Sequence, residues 1–140
     1  MAAKRRYVIG VDLGTSATRA GIFDLDGRLL AEASRPVPIV YPAPGQAEQE
    51  MDDFLATAAQ AVAECLERSG VDPREVAAIA FDSQMAGVGG IDERYQPVMR
   101  FDSWLDMRCE PYIKWLERST GEDLVRITGC AATCDHAPKM

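Results

Sequence analysis

An apolar strand runs directly into a polar turn at residues 7–16, YVIGVDLGTS. Residues 7–11 are apolar and β-favouring, as expected of a strand buried on both faces. Asp12 closes that strand, where its carboxylate could bind Mg²⁺ directly or through water. Gly14 permits a tight turn and a close approach of the backbone, and the Thr15 and Ser16 hydroxyls can donate to phosphate oxygens. The pattern predicts a phosphate site, and the alternative is a polar β-turn without a ligand.

The residues that follow predict an antiparallel meander and then a crossover helix. A second strand over 18–24 leads to Asp26-Gly27, a strong hairpin signal, and a third strand follows over 28–35. A helix closed by Gly70 is predicted from one apolar stripe at three- and four-residue steps. Its members are Met51, Phe54, Leu55, Ala58, Val62, Cys65 and Leu66. A strand over 76–81 is then expected to return parallel to the first.

The second half of the chain predicts a further meander and more helix. Strands are expected over 88–91 and 98–101, a helix around 112–116, and a short helical turn over 124–127 before Gly129. The element order predicts an α/β fold: a mixed sheet with an antiparallel meander and flanking helices. This is the plan of ribonuclease H-like folds and of the actin-like ATPase domains.

Composition limits the classes of partner. The chain has 140 residues, 22 acidic against 15 basic, and a net charge of −7. That charge argues against nucleic acid or an anionic membrane as the main partner, and it is compatible with a metal–nucleotide substrate. No apolar run approaches the roughly 20 residues of a membrane span. The basic triplet Lys4-Arg5-Arg6 leads straight into a strand and not into an apolar leader, so a cytoplasmic protein is predicted.

The cysteines and the single histidine offer a second, weaker candidate site. Cys130-x3-Cys134-x-His136 has the look of a metal site, but zinc sites usually have a second pair, which is missing. Cys65 is predicted to be a core thiol. His136 lies near the chain end and is predicted to be solvated or at a pocket edge, in preference to a catalytic base.

Five motifs in order carry a family resemblance. The chain resembles the N-terminal part of the FGGY family of carbohydrate kinases, a group that includes xylulose, ribulose, gluconate and glycerol kinases. Residues 9–16 resemble the opening phosphate motif, and 46–50 resemble the segment before the first helix. Residues 83–87, SQMAG, resemble the Gly-Gln-Met-His-Gly of xylulose kinases. Residues 104–108, WLDMR, resemble their Trp-Asn-Asp-x-Arg, and 137–140, APKM, resemble the Ala-Pro-Lys-Leu that opens a later helix.

The resemblance implies an actin-like fold of two ribonuclease H-like domains, with ATP and a sugar or polyol in the cleft between them. It implies that Asp12 helps to hold Mg²⁺ and that Arg19 lies close enough to act electrostatically, with a structural ion pair as the alternative. By the same resemblance, the groups facing the γ-phosphate are Gly14, Thr15 and Ser16. Those lining the sugar pocket are Gln84, Met85 and Ala86, with Trp104 as an apolar wall and Asp106 accepting from hydroxyls. For Trp104, plain core packing is the alternative.

Two departures from the family pattern qualify what is expected. Ala86 stands where xylulose kinases carry histidine and glycerol kinases an acidic residue, which leaves the sugar unnamed. Family members are several times longer, so residues 1–140 correspond to the N-terminal domain alone. The resemblance puts the general base and the adenosine-binding elements in a C-terminal domain, and little kinase activity is expected of this stretch by itself.

Two other classes of function remain open from the sequence. A ribonuclease H-like nuclease could use Asp12, Asp24 and Asp82 to collect two metals, although the charge and the Gly-Thr-Ser turn weigh against it. A non-catalytic domain could instead associate through an exposed apolar face, which would favour a homodimer.

Overall fold

The computed structural model describes residues 5–120 and 122–134. It forms two compact units. The first comprises the chain up to Pro38 together with Asp52–Gln84, and the second comprises Ile39–Met51 and the chain from Met85 onward. In chain order the elements are β1 (Tyr7–Leu13), β2 (Ala17–Asp24), β3 (Leu29–Pro36), β4 (Glu48–Gln49), α1 (Met51–Ser69), a 3₁₀ turn (Pro73–Glu75), β5 (Val76–Ser83), β6 (Phe101–Asp102), α2 (Glu110–Thr120) and α3 (Glu122–Thr128). None of the helices in these residues is long and apolar enough to cross a bilayer.

The sheet of the first unit has the predicted topology. Its strand order is β3-β2-β1-β5, with β1–β2 and β2–β3 antiparallel and β1–β5 parallel. The hairpin between β2 and β3 turns at Gly27, whose φ of 82° suits glycine. Helix α1 makes the crossover to β5. The mixed sheet, the meander and the flanking helix are therefore confirmed.

Helix α1 covers one face of this sheet with most of the predicted stripe, since Ala58 and Cys65 are buried and Val62 and Leu66 pack against the core. Its buried residues are Thr57, Ala58, Ala61 and Cys65, and they pack against Ile9, Val11, Ala20, Ile22 and Ala33. Leu55, predicted to be in the stripe, is 75% exposed. At 100° per residue, the buried positions of α1 centre on a direction from which Leu55 is turned by roughly 100°, so its side chain points away from the sheet. Gly70 ends the helix as predicted, with φ 66° and its N–H on the Leu66 carbonyl.

The second unit contains much less strand than predicted. The strands expected over 88–91 and 98–101 reduce to isolated bridges, Val88 to Asp102 and Ile91 to Pro97. The paired strands are two residues each, β4 and β6. Glycines at 89 and 90 and a proline at 97 weaken strand pairing there, since glycine adds no side chain to the ladder and proline removes a donor. The reversal itself is present, because Val98 N–H bonds to the Gly90 carbonyl.

Helices α2 and α3 lie where helix was expected, and α3 extends the predicted 124–127 turn at both ends. Gly129, with φ 74°, closes α3. Buried polar residues are prominent in this unit: Gln49, Ser103 and Asp106 are at most 2% exposed. Hydrogen bonds and ion pairs therefore have a large part in holding these segments together.

Candidate functional site

Three charged side chains lie in a row across the sheet of the first unit. Asp12 on β1 pairs in register with Arg19 on β2 and with Asp82 on β5. Paired residues of neighbouring strands share a face of the sheet, and this face is opposite to the one that α1 covers, since Ile9 and Val11 point to α1. Arg19 Nη1 lies 3.4 Å from Asp12 Oδ2, and both side chains are about half exposed. Both remain available to a ligand.

The turn after β1 is held by short, specific contacts. A Cβ on Gly14 would lie 2.8 Å from the Ala17 carbonyl oxygen, so the turn can close only around glycine. Thr15 Oγ1 donates to Gln84 Oε1 at 3.2 Å. The Gln84 N–H donates to the Leu13 carbonyl at 3.0 Å, and the Ser16 carbonyl accepts the N–H of Val37 at 3.0 Å. The end of β5 is thus tied to the turn that follows β1.

A shallow concavity of about 420 Å³ opens on the same sheet face as the charged row. Small residues at matching positions of three strands, Gly10, Gly21 and Ala80, leave this hollow. Asp12, Arg19 and Asp82 also line it. A polar or charged group of moderate size could approach the Asp12 carboxylate from this side.

The residues at the turn fit a magnesium–phosphate group. Mg²⁺ in nucleotide sites is usually held by one or two carboxylates, with waters and phosphate oxygens as its other ligands, and Asp12 offers one half-exposed carboxylate. The Gly14 turn supplies backbone at a distance that any side chain would block. Over residues 5–120 and 122–134, no three His, Cys, Asp or Glu side chains are grouped closely enough to bind a metal without such help.

The three aspartates of the nuclease alternative do not come together. Asp24 pairs with Tyr7 at the start of β1, whereas Asp12 pairs with Arg19 near its end. Five residues of strand separate the two positions, about 17 Å. Asp24 Oδ1 also accepts the N–H groups of Asp26 and Arg28 within the hairpin. Asp24 is the last residue of β2 and stabilises the hairpin turn that follows, so the predicted two-metal cluster is wrong.

The other predicted ligand residues lie in the second unit. Met85 is 77% exposed and Trp104 is 43% exposed, so the core-packing alternative for Trp104 does not hold. Ala86 has a φ of 63°, a conformation that non-glycine residues rarely adopt. A Cβ on the next residue, Gly87, would overlap the ring of Phe101. The 85–87 loop is thus strained, and its backbone lies directly on an aromatic side chain.

Asp106 is placed where its carboxylate serves the protein's own groups. It is 2% exposed, and it accepts the Ala47 N–H at 2.9 Å and the Arg108 N–H at 3.0 Å. Arg108 Nε adds bonds of 3.0 and 2.9 Å to its two oxygens. Burial alone would raise the pKa of Asp106, but these hydrogen bonds outweigh burial and lower it. In this arrangement the Asp106 oxygens face the protein's own donors and not solvent, so they are not open to a sugar hydroxyl.

Sequence reasoning missed the partners of Asp106. Arg108 and Glu48 both lie in motifs of the sequence, but neither motif indicates by itself that the two side chains meet. A signal was present in the Asp-x-Arg spacing, which lets an arginine side chain fold back onto a carboxylate two residues earlier. The Cys130, Cys134 and His136 candidate is only partly visible, since His136 lies outside the described residues. Cys109 and Cys134 are buried, and the Cys109 thiol donates to the Cys134 carbonyl.

Comparison with known proteins gives one consistent result. Residues 7–137 match the family described as "FGGY family of carbohydrate kinases, N-terminal domain". A xylulose kinase of Bacillus subtilis (strain 168) is 31% identical over 123 residues, which are 88% of this chain and 25% of that protein. A glycerol kinase of Paracidovorax citrulli is 29% identical over 121 residues, 86% of this chain and 24% of that protein.

A solved structure agrees. The xylulose kinase from Rhodospirillum rubrum superimposes with a TM-score of 0.85 at 27% identity, covering 93% of this chain and 27% of that one. The chain therefore spans about a quarter of the length of the proteins it matches.

Proposed function

The chain belongs to the FGGY family of carbohydrate kinases, as an N-terminal domain, and on that premise we propose that it forms the phosphate-binding and acceptor-binding half of an ATP-dependent sugar or polyol kinase. ATP supplies the phosphoryl group, and a hydroxyl of the acceptor receives it. A xylulose kinase and a glycerol kinase are both about equally similar to this chain, so the acceptor class is a ketose or a polyol.

The single observation that carries the proposal is the turn after β1. It combines a half-exposed carboxylate, Asp12, with a glycine that the neighbouring carbonyl of Ala17 makes irreplaceable. Such a turn brings backbone N–H groups and hydroxyls to phosphate oxygens without steric hindrance. In this proposal Asp12 holds Mg²⁺ through water, and Gly14, Thr15 and Ser16 face the γ-phosphate.

Arg19 has an electrostatic role in the proposal. Its guanidinium lies beside Asp12 and offsets negative charge where two carboxylates, Asp12 and Asp82, share one sheet face. Phosphoryl transfer depends on positioning and on charge stabilisation. A cation at this point would limit repulsion between the protein and the incoming phosphates.

On the acceptor side we assign Gln84, Met85, Ala86 and Trp104. Met85 and Trp104 present apolar surface to solvent, and Gln84 is fixed by its bonds to the turn. In this proposal Asp106 does not contact the acceptor; it fixes Ala47 and Arg108 through hydrogen bonds. A site that hydrogen-bonds substrate hydroxyls discriminates strongly against analogues that lack them.

The remaining parts of the enzyme lie outside these residues in the proposal. The relatives are about four times as long, and we assign the general base and the adenosine-binding elements to an accompanying C-terminal kinase domain. A cytoplasmic location agrees with MgATP as the phosphoryl donor. It also agrees with the free thiols of Cys65, Cys109, Cys130 and Cys134, since thiols stay reduced there.

The test is a coupled ADP-release assay on the chain joined to its C-terminal domain, with a panel of ketoses and polyols. Asp12→Asn should lower kcat/KM by about 100-fold or more if the carboxylate positions Mg²⁺. Asp26→Asn is the matched control, because it removes the same charge from an exposed hairpin position.

The control should retain activity within about twofold, since surface substitutions away from a site have small effects. Two results would contradict the proposal: no acceptor on the panel releases ADP above the rate with water, or Asp12→Asn behaves like the control.

A further inference from the structure

A single guanidinium in the second unit bonds to three carboxylates. Arg108 Nε donates to both oxygens of Asp106, and Nη2 lies 2.6 Å from Asp102 Oδ1 and 2.9 Å from Glu48 Oε1. The hydrogen bond with Asp106 raises the pKa of Arg108 well above its ordinary value, so the group stays charged. We call these four residues the Arg108 cluster.

Each carboxylate of the Arg108 cluster belongs to a different segment. Asp106 accepts the Ala47 N–H at 2.9 Å. The backbone of Glu48 exchanges two hydrogen bonds of 2.8 Å with Val40. Asp102 exchanges two with Val88, at 3.0 and 2.8 Å. One arginine thus fixes β4, β6 and the 103–108 turn relative to one another.

The same segments hold the proposed acceptor-binding residues. Val88, bonded to Asp102, follows the loop that carries Met85 and Ala86, and Gly87 in that loop lies on the ring of Phe101. Trp104 follows Ser103, which is fully buried and donates its N–H to the Ala47 carbonyl at 2.9 Å. The Arg108 cluster therefore sets where the 85–87 loop lies relative to Trp104.

We propose that Arg108 is a positioning residue for the acceptor pocket. It touches neither substrate; it holds the 85–87 loop and Trp104 at a fixed separation by bonding Asp102, Asp106 and Glu48 together. This inference rests on the proposed function for its kinetic consequence, and on the geometry alone for its structural one. Lysine cannot replace arginine here, because a single ammonium group lacks the planar fork that reaches several carboxylates.

The structural test uses the fluorescence of Trp104 in the 140-residue chain. Trp115→Phe leaves Trp104 as the only tryptophan, and Trp115 is 63% exposed on α2, so its loss should be tolerated. In that background Arg108→Lys should shift the emission maximum and raise acrylamide quenching. Arg100→Lys is the matched control, since Arg100 pairs with Glu48 and Glu50 at the exposed edge of the same unit.

The kinetic test uses the chain joined to its C-terminal domain. Arg108→Lys should raise the KM for the acceptor by about tenfold or more, since misplacement of roughly 1 Å can cost up to about 100-fold. The KM for ATP should stay within twofold, and Arg100→Lys should leave both unchanged. A general loss of folding would lower kcat without changing either KM, because KM does not depend on the amount of active enzyme. A fall in kcat with an unchanged acceptor KM, or an equal rise in both KM values, overturns the positioning role.

The two tests separate the inference from the proposed function. If the wild-type enzyme phosphorylates no acceptor, the proposed function fails while the Trp104 measurement still decides the structural claim. If Arg108→Lys leaves Trp104 emission and quenching like those of Arg100→Lys, the inference is wrong. It is also wrong if fluorescence changes but the acceptor KM of an active enzyme does not.

Discussion

The Asp106 carboxylate accepts the backbone N–H of Ala47 at 2.9 Å, across 59 positions of the chain. This bond joins the segment before α1 to the turn after β6, and Arg108 completes the set of donors around the same carboxylate. A buried acceptor with several donors is costly to replace, because each donor left without a partner stays desolvated.

Asp106→Asn should therefore destabilise the protein by about 2–4 kcal/mol, the usual cost of breaking a buried, charge-assisted network. The measurement is the urea unfolding midpoint, followed by circular dichroism. Asp123→Asn is the control, since Asp123 pairs with Arg126 on the surface of α3. That variant should change stability by about 1 kcal/mol at most; an equal effect of the two substitutions would refute a special role for Asp106.

The stability that Asp106 contributes should depend on pH. Its pKa in the folded protein lies below the ordinary value of 3.8, so the contribution is complete above that value and is lost as the pH falls through the folded pKa. The difference in unfolding free energy between wild type and Asp106→Asn should be constant above about pH 5 and shrink below pH 4. The lowered pKa of Asp72 is common to both proteins and cancels. If this difference grew on acidification, the pKa of Asp106 would be raised in the folded protein, contrary to the prediction.

Gly14→Ala should disrupt the turn after β1, which we propose binds phosphate. The added Cβ would lie 2.8 Å from the Ala17 carbonyl, so the backbone must shift. We expect kcat/KM for ATP in the full-length enzyme to fall by about tenfold or more. Gly70→Ala serves as the control, because it strains a backbone φ of 66° at the end of α1 in the same unit, its Cβ would meet nothing within 4 Å, and it lies outside the concavity beside Asp12. Equal activities for the two variants would show that the turn tolerates a side chain.

Ala86→Gly should stabilise the protein by about 0.5–1 kcal/mol, because glycine adopts positive φ without the penalty of about 1–2 kcal/mol that other residues incur. The same change at Ala56, exposed in the second turn of α1, should instead destabilise by about 0.5–1 kcal/mol. Thermal unfolding of the two variants gives opposite shifts. Shifts in the same direction would mean that residue 86 does not keep its positive φ in solution.

Cys65 should resist thiol reagents in the native protein. It is fully buried, and burial raises the pKa of its thiol. We expect its alkylation at pH 8 to be roughly 100-fold or more slower than in urea, since reaction requires opening of the helix–sheet contact and ionisation of the thiol. Mass spectrometry after timed iodoacetamide treatment reports each cysteine separately. Labelling of Cys65 at the rate seen in urea would place it outside the core.

The elements predicted well from sequence are those with strong local signals. The strand predicted over 7–11 is present and runs on to Leu13, because its apolar run needs no distant partner to be recognised, and Gly27 and Gly70 lie at the predicted hairpin turn and helix end. The α1 stripe was partly wrong because the sheet, and not the helix alone, decides which small residues make contact.

The geometry of the candidate site was predictable only around the turn after β1. Asp12 and Arg19 are seven residues apart and face each other through a local hairpin. The surroundings of Asp106 depend on Ala47 and Glu48, which are far away in the chain, and no local pattern marks such a pair. The strands predicted for the second meander are wrong, because Gly89, Gly90 and Pro97 weaken strand pairing and leave only single bridges.

The contact of Gly87 with the Phe101 ring links the fates of two positions. Any other amino acid at 87 begins with a carbon that the ring already occupies, so a saturation library should retain glycine alone there. A smaller side chain at position 101 should allow other amino acids at position 87, so the effects of substitutions at these two positions should depend on each other.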